Sequence, residues 1–225
     1  MNKNILLLLN KNNLKTGKLA DLIPEFYELK NVVENNDWHN KETVFKHTLS
    51  VLDNLEKIIR NLDNKAKQTL NKKIGLNTRG DLLRVATLFH DIAKKETIVD
   101  KKGTTFCLNH EDKGSIKAKK ILKRFHLSSQ EIKFILKIVK NHGLIHKILP
   151  PENQNFQKES ISFKKKFFHN IYPELILLAF ADTIGSYLIK SRPTEFKSRI
   201  SFYRKEIKNL PPKEKLKLSL VRQVH

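Results

Sequence analysis

From Phe45, apolar residues recur at Leu49, Leu52, Leu55, Ile59 and Leu62, in steps of four, three, three, four and three. Steps that alternate between three and four keep one face of a 3.6-residue helix apolar, so this stretch predicts a long amphipathic helix. A loop containing Gly75 and Gly80 separates it from residues 81–95, where Leu82, Leu83, Val85, Ala86, Leu88 and Phe89 leave almost no polar face. That block reads as a buried central helix. Residues 97–108, with Gly103 between ThrIleVal and ThrThrPhe, carry a weak signal for one small β-hairpin. Helices follow at about 110–125 and 129–141, the second opened by Ser128 with Glu131 three residues on, a capping-box spacing. Pro150 and Pro151 begin a polar loop, and the apolar run Leu175 to Ala181 predicts another buried helix. Two further amphipathic helices are expected at about 194–209 and 213–222, separated by Pro211 and Pro212. No repeat and no low-complexity linker divides the chain, which points to one all-α domain over residues 1–225.

Composition narrows the setting. At 225 residues the chain is long enough for one well-buried domain. The single cysteine, Cys107, excludes an internal disulfide and suits a reducing compartment. The apolar run Ile5 to Leu9 is too short for a membrane span or a secretory core, so a soluble cytoplasmic protein without a membrane partner is expected. A net charge of +21 invites a polyanion. The lysines are nevertheless spread along the chain, apart from clusters such as Lys164 to Lys166, and most read as solvated helix faces. The charge therefore favours a phosphate-bearing small molecule or an RNA end as partner, with RNA binding through the basic surface, and no duplex-binding motif accompanies it. Oligomeric state has no signature in the sequence.

The chemistry lies where polar residues interrupt apolar faces. TLFHDIAK, residues 87–94, sets His90 and Asp91 at the end of the central apolar block. His47 continues the face of Val44, Val51, Leu55 and Ile58; His110 leads Gly114, Ala118 and Ile121; His142 ends the stripe Ile132, Ile135, Val139. Asp182 falls on the interior side of Leu175, Leu178 and Ala179, and no lysine or arginine shares that stripe. A buried carboxylate without a cationic partner costs several kcal/mol, on the order of what ionisable groups avoid by changing protonation. A divalent ion would satisfy these imidazoles and carboxylates together. Taken singly, each histidine also reads as a core residue bonded to a main-chain carbonyl.

TLFHDIAK, with the upstream histidine of VFKHTLSVL and the distant aspartate of LLAFADTIGS, resembles the HD superfamily of metal-dependent phosphohydrolases. LIPEFYELKNVVENNDWHNKETVFKHTLSVL, FCLNHEDKGSIKAKKILKRFHLSS and IVKNHG further resemble the HD region in the C-terminal half of bacterial tRNA nucleotidyltransferases and poly(A) polymerases. The likeness runs from about residue 20 to about 190, leaving a helical extension at about 191–225. It implies an HD helical bundle in which His47, His90, Asp91 and Asp182 form a first metal site, while His110 and His142 complete a second with Asp91 as bridge. One or two ions of iron, manganese, nickel, cobalt or magnesium would serve. It also implies that Asp91 takes part in catalysis, that Lys94 faces the substrate phosphate and that His39 contacts phosphate or protonates the leaving group. For Lys94 the plain alternative is a surface lysine beside Lys95. His146 is set aside because Gly143 is expected to end the helix, and Trp38 is expected to pack rather than stack on a base.

Nucleotide addition is not expected, because no two aspartates stand closer than nine positions. Glu111 and Asp112 adjoin His110 instead of forming the acidic pair of the stringent-response hydrolases, so that activity is not carried over. Three functions remain. The first is a phosphohydrolase or phosphodiesterase acting on a nucleotide or nucleic-acid-derived ester, of the 2′,3′-cyclic nucleotide or nucleotide monophosphate type. The second is a non-catalytic RNA-binding or partner module, the detached tail of a split nucleotidyltransferase. The third is a metal that only pins helices together.

Overall fold

A computed structural model describes residues 5–210 of the chain, and the helix expected at about 213–222 lies outside them. Three short helices, α1 Ile5–Leu8, α2 Lys11–Lys15 and α3 Pro24–Tyr27, lead into the hairpin β1 Val33–Asn36 and β2 His39–Thr43. The long helix α4 Val44–Arg60 follows directly. Its N-cap is Thr43, whose side chain accepts from the Lys46 amide, and Lys57 and Arg60 suit the negative end of its dipole. After α5 Asn64–Asn71 and the small hairpin β3 Lys73–Ile74 with β4 Asn77–Thr78, helix α6 Arg79–Phe89 starts from a capping box between Thr78 and Asp81. The chain then forms β5 Ile98–Lys101 and β6 Thr104–Cys107, α7 His110–Leu122, α8 Ser129–Asn141 and α9 Leu144–Ile148. It ends in α10 Phe156–Phe167, α11 Tyr172–Gly185, α12 Leu188–Ser191 and α13 Pro193–Lys208.

The apolar stripes dictate the packing. Helix α11, buried from Leu175 through Thr183, lies between α4 and α13, while α6 packs on α4 and α8, and α7 covers α8. The ends of α6 and α8, the start of α7, the first turn of α4 and the last turns of α11 thereby converge on one side of the bundle. The all-α expectation holds for the core, and the hairpin expected near 97–108 is β5–β6. Two further antiparallel pairs accompany it among the described residues, so the expectation of one hairpin is corrected to three. Gly80 belongs to α6 rather than to a loop, and the polar stretch after Pro151 contains α10, which buries Phe163 and Phe167.

The β3–β4 turn shows how a loop is held to the bundle. Glu131, the capping-box residue of α8, accepts from the amides of Ser128 at 2.7 Å, Leu76 at 3.1 Å and Asn77 at 3.0 Å, and from the Asn77 side chain at 2.7 Å. Gly75, at φ +68°, brings its backbone so close that an added Cβ would stand 2.9 Å from Ser128 Oγ. Burial alone would raise the Glu131 carboxyl, but hydrogen bonds from Ser128 and Asn77 outweigh it and hold the group below its ordinary value. Its stabilisation is therefore present above the unfolded pKa of about 4.3 and is lost as pH falls through the lower folded value. Glu131→Gln is expected to lower stability by about 2 kcal/mol at pH 7, from charged hydrogen bonds lost. The deficit should shrink as the pH drops below about 4, which urea unfolding across pH checks.

Candidate metal centre

Three histidines stand where a helix begins or ends. His90 is the C-cap of α6, His142 the C-cap of α8, and His110 the first residue of α7. Their Nδ1 atoms lie 2.7 Å from Thr87 O, 2.7 Å from Val139 O and 2.8 Å from Cys107 O, respectively. A carbonyl only accepts, so in each case Nδ1 carries a proton and Nε2 turns inward, where it offers a lone pair to a cation or, when it bears a proton, donates to Asp91. His110 Nε2 and His142 Nε2 face one another at 3.3 Å. Two neutral rings in this tautomer have no proton to share between those atoms. Nitrogens each about 2.1 Å from a common ion, at an angle of about 100°, lie about 3.2 Å apart, so the pair is spaced as two ligands of one cation.

Asp91 straddles two groups of donors. Its Oδ1 is 3.4 Å from His110 Nε2 and 3.6 Å from His142 Nε2, while its Oδ2 is 3.2 Å from His90 Nε2 and 2.9 Å from Lys94 Nζ. His47 Nε2 meets Asp182 Oδ1 at 2.9 Å. One ligand atom from each of His47, His90 and Asp182 falls within 4.8 Å of the others, and the same holds for Asp91, His110 and His142. His90 Nε2 is buried with no hydrogen-bond partner, which a structure tolerates poorly unless a ligand completes it. The set therefore fits a divalent cation.

The electrostatics agree. Burial alone would raise the Asp91 carboxyl, but His90 and Lys94, together with the imidazoles of His110 and His142, hold it well below the usual carboxylate range. Asp182 is likewise held well down against burial by His146 and His47. Burial pushes the His142 imidazole down, against the pull of Asp91, and so favours the neutral form that binds metal.

All six ligands expected from the sequence are thus brought together. The surface-lysine alternative for Lys94 is overturned: its ammonium is buried, 2.8 Å from Glu34 and 2.9 Å from Asp91. The carboxylates raise its pKa in spite of burial. His39 sits on β2, its ring centroid 4.4 Å from that of His47 and its Nε2 3.5 Å from Glu34. Setting His146 aside needs correction. The chain bends at Gly143 but re-enters a helix at once in α9, which carries His146 Nε2 to 3.1 Å from Asp182 Oδ2. The four-residue step from His142 was the available signal. Glu34 was also missed, although a lysine one turn beyond a buried aspartate signals a second counter-ion. Trp38 packs as expected, edge-on to His146 with the Arg199 guanidinium against its ring.

Asp91, Lys94, His110, His142, His146 and Asp182 line a cleft of about 670 Å³, within the range of small-molecule sites. Among the described residues no helix is long and apolar enough to cross a membrane. A profile of the HD domain matches residues 44–185, from the start of α4 to the end of α11, the segment that carries all six candidate ligands. The chain belongs to the HD domain family, in general a family of metal-dependent hydrolases.

Proposed function

We propose that the protein hydrolyses a phosphoester of nucleotide or nucleic-acid origin, a 2′,3′-cyclic nucleotide or a nucleotide monophosphate, with one or two divalent ions held by His47, His90, Asp91, His110, His142 and Asp182. The observation that carries this reading is the inward set of Nε2 atoms around Asp91, two of them 3.3 Å apart and a third without a hydrogen-bond partner. Bound ions would supply Lewis acidity toward a phosphoryl oxygen and activation of water at neutral pH. Asp91 serves both groups through its two oxygens. Lys94 holds Asp91 ionised, and because an ammonium has three donors and two carboxylates take two, its third N–H remains for a substrate phosphate. His39 lines the same cleft. Burial and the neighbouring His47 hold it below the ordinary histidine range, so we assign it to phosphate contact rather than to protonating the leaving group.

The nucleotide class is supported by the resemblance to nucleotidyltransferase HD regions and by the size of the cleft. A second reading, an RNA-binding module without turnover, is supported by the net charge of +21. Chelator-stripped protein assayed on a panel of 2′,3′-cyclic nucleotides, nucleoside monophosphates and a generic phosphodiester separates the two. Turnover that vanishes on stripping and returns with manganese, iron or nickel supports hydrolysis. RNA affinity that survives stripping, with no turnover under any metal, would replace it by the second reading.

A further inference from the structure

The ring nitrogens that face away from the proposed ions are not equally provided for. Nδ1 of His90, His110 and His142 each donates to the carbonyl three residues back, at 2.7, 2.8 and 2.7 Å. For His90 and His142 these carbonyls are available because the last carbonyls of a helix have no intrahelical donor. His47 has no such recourse. It lies in the first turns of α4, where the equivalent carbonyl, that of Val44, is inside the helical ladder and also accepts from the Thr48 hydroxyl at 2.9 Å. His47 Nδ1 is accordingly buried without a hydrogen-bond partner.

The group that faces it is Glu42, which directly precedes the N-cap Thr43. Glu42 Oε2 stands 3.8 Å from His47 Nδ1 and 3.7 Å from His39 Nδ1, a nitrogen that is also buried and unpartnered. The hairpin register gives this carboxylate a reason to seek an N–H. Glu42 is paired across the strands with Glu34, and like charges directly opposite one another repel unless each has its own compensation. Glu34 has Lys94 at 2.8 Å, whereas Glu42 is faced by the two imidazoles. Its side chain is partly open to solvent, 29% exposed.

We propose that Glu42 is the positioning residue of His47. Its carboxylate accepts Nδ1–H, keeps the proton off Nε2 and aims that atom at the ion, as main-chain carbonyls do for the other three rings. A carboxylate in this place orients the ring and raises its basicity as a ligand. On its other side His47 Nε2 lies 2.9 Å from Asp182 Oδ1, the carboxylate that would share the ion with it. As a ligand His47 would release the Nε2 proton to solvent and keep the one on Nδ1, where Glu42 accepts it. The inference rests on the metal-binding reading given above.

The test uses the full chain, stripped of metal and titrated with zinc, which is diamagnetic. Calorimetry reads affinity and stoichiometry, and NMR of ¹⁵N-labelled histidine reads the tautomer of His47. With zinc, wild type is expected to show His47 in the Nδ1–H form. Glu42→Ala should bind about 10- to 100-fold more weakly at unchanged stoichiometry, with the Nδ1–H signal of His47 no longer protected from exchange. Glu42→Gln, whose amide oxygen still accepts, should recover most of the affinity, and unfolding in urea without metal should be the same for all three. Affinity of Glu42→Ala within twofold of wild type, with an unaltered His47 signal, would overturn the inference. So would the loss of one whole ion per chain with Nδ1 of His47 itself bound to zinc in wild type, since Glu42 would then be a ligand of a separate centre with His39. Wild type that binds no zinc overturns the metal reading as well, whereas the other two contrary results leave it standing.

Discussion

Asp91→Ala is expected to abolish turnover, by more than the roughly 100-fold loss that removal of an outer-sphere partner of a metal ligand brings. The reason is geometric. One carboxylate serves His90 and Lys94 through Oδ2, and His110 and His142 through Oδ1, so its removal opens both groups of donors at once. Three Nε2 lone pairs then face each other with no anion to balance an incoming cation, and Lys94 is left with Glu34 alone. Asp91→Asn, which keeps the shape and one acceptor oxygen, should retain the fold and lose nearly as much activity, because the missing term is charge. Metal content, turnover and a thermal melt on both variants check this. Unfolded Asp91→Ala beside folded, inactive Asp91→Asn would still locate the effect in the site, whereas wild-type turnover by Asp91→Asn would remove Asp91 from the mechanism.

The largest effect on stability is expected away from the cleft, at Arg79. Its guanidinium reaches from α6 to α11, with Nε 2.7 Å from Glu174 Oε1, Nη2 2.6 Å from Glu174 Oε2 and Nη2 2.6 Å from Asn170 O, and it lies 5.0 Å above the Phe134 ring of α8. Arg79 is buried and Glu174 is completely so. Arg79→Ala takes a bidentate cationic partner from a fully buried carboxylate, and such losses cost about 3–5 kcal/mol. Replacing both partners, Arg79→Met with Glu174→Leu, should restore most of that, since a buried ion pair gains little over a well-packed apolar pair. Guanidinium unfolding of the three variants measures the difference. Equal destabilisation by the single and double changes would mean that the bidentate geometry, rather than relief of a stranded charge, is what α6 and α11 depend on. The pair ties the helix that ends in His90 to the helix that carries Asp182, so the single change should also weaken metal binding.

What the sequence disclosed and what it concealed follow from range. Helices α4, α6, α8 and α11 are long enough for a 3.6-residue period to accumulate, and the Ser128–Glu131 capping box is a purely local signal that the structure reproduces. The β1–β2 hairpin has no such period, since ValGluAsnAsn offers one apolar residue in four. It is an extended segment because of what it meets: Asn35 N donates to Thr105 Oγ1 at 2.7 Å and Glu34 takes Lys94 at 2.8 Å, partners some sixty to seventy residues away. No local window contains that information. The candidate ligands are legible because an imidazole or carboxylate on an apolar stripe is costly and hence conspicuous. Glu34 and Glu42 were not, because on a polar strand a glutamate looks ordinary until the buried lysine and histidines opposite it are known. His146 is hidden because Gly143, a helix-ending signal in sequence, bends the chain without ending its helical course.

The most direct measurement is a calorimetric titration of stripped protein with manganese or zinc, beside His90→Ala and His110→Ala. One or two ions per chain are expected for wild type, with each variant losing an ion or binding more weakly through the shared Asp91. If wild type takes up no ion below millimolar concentration, or if both variants bind as wild type does, these side chains do not form a metal centre.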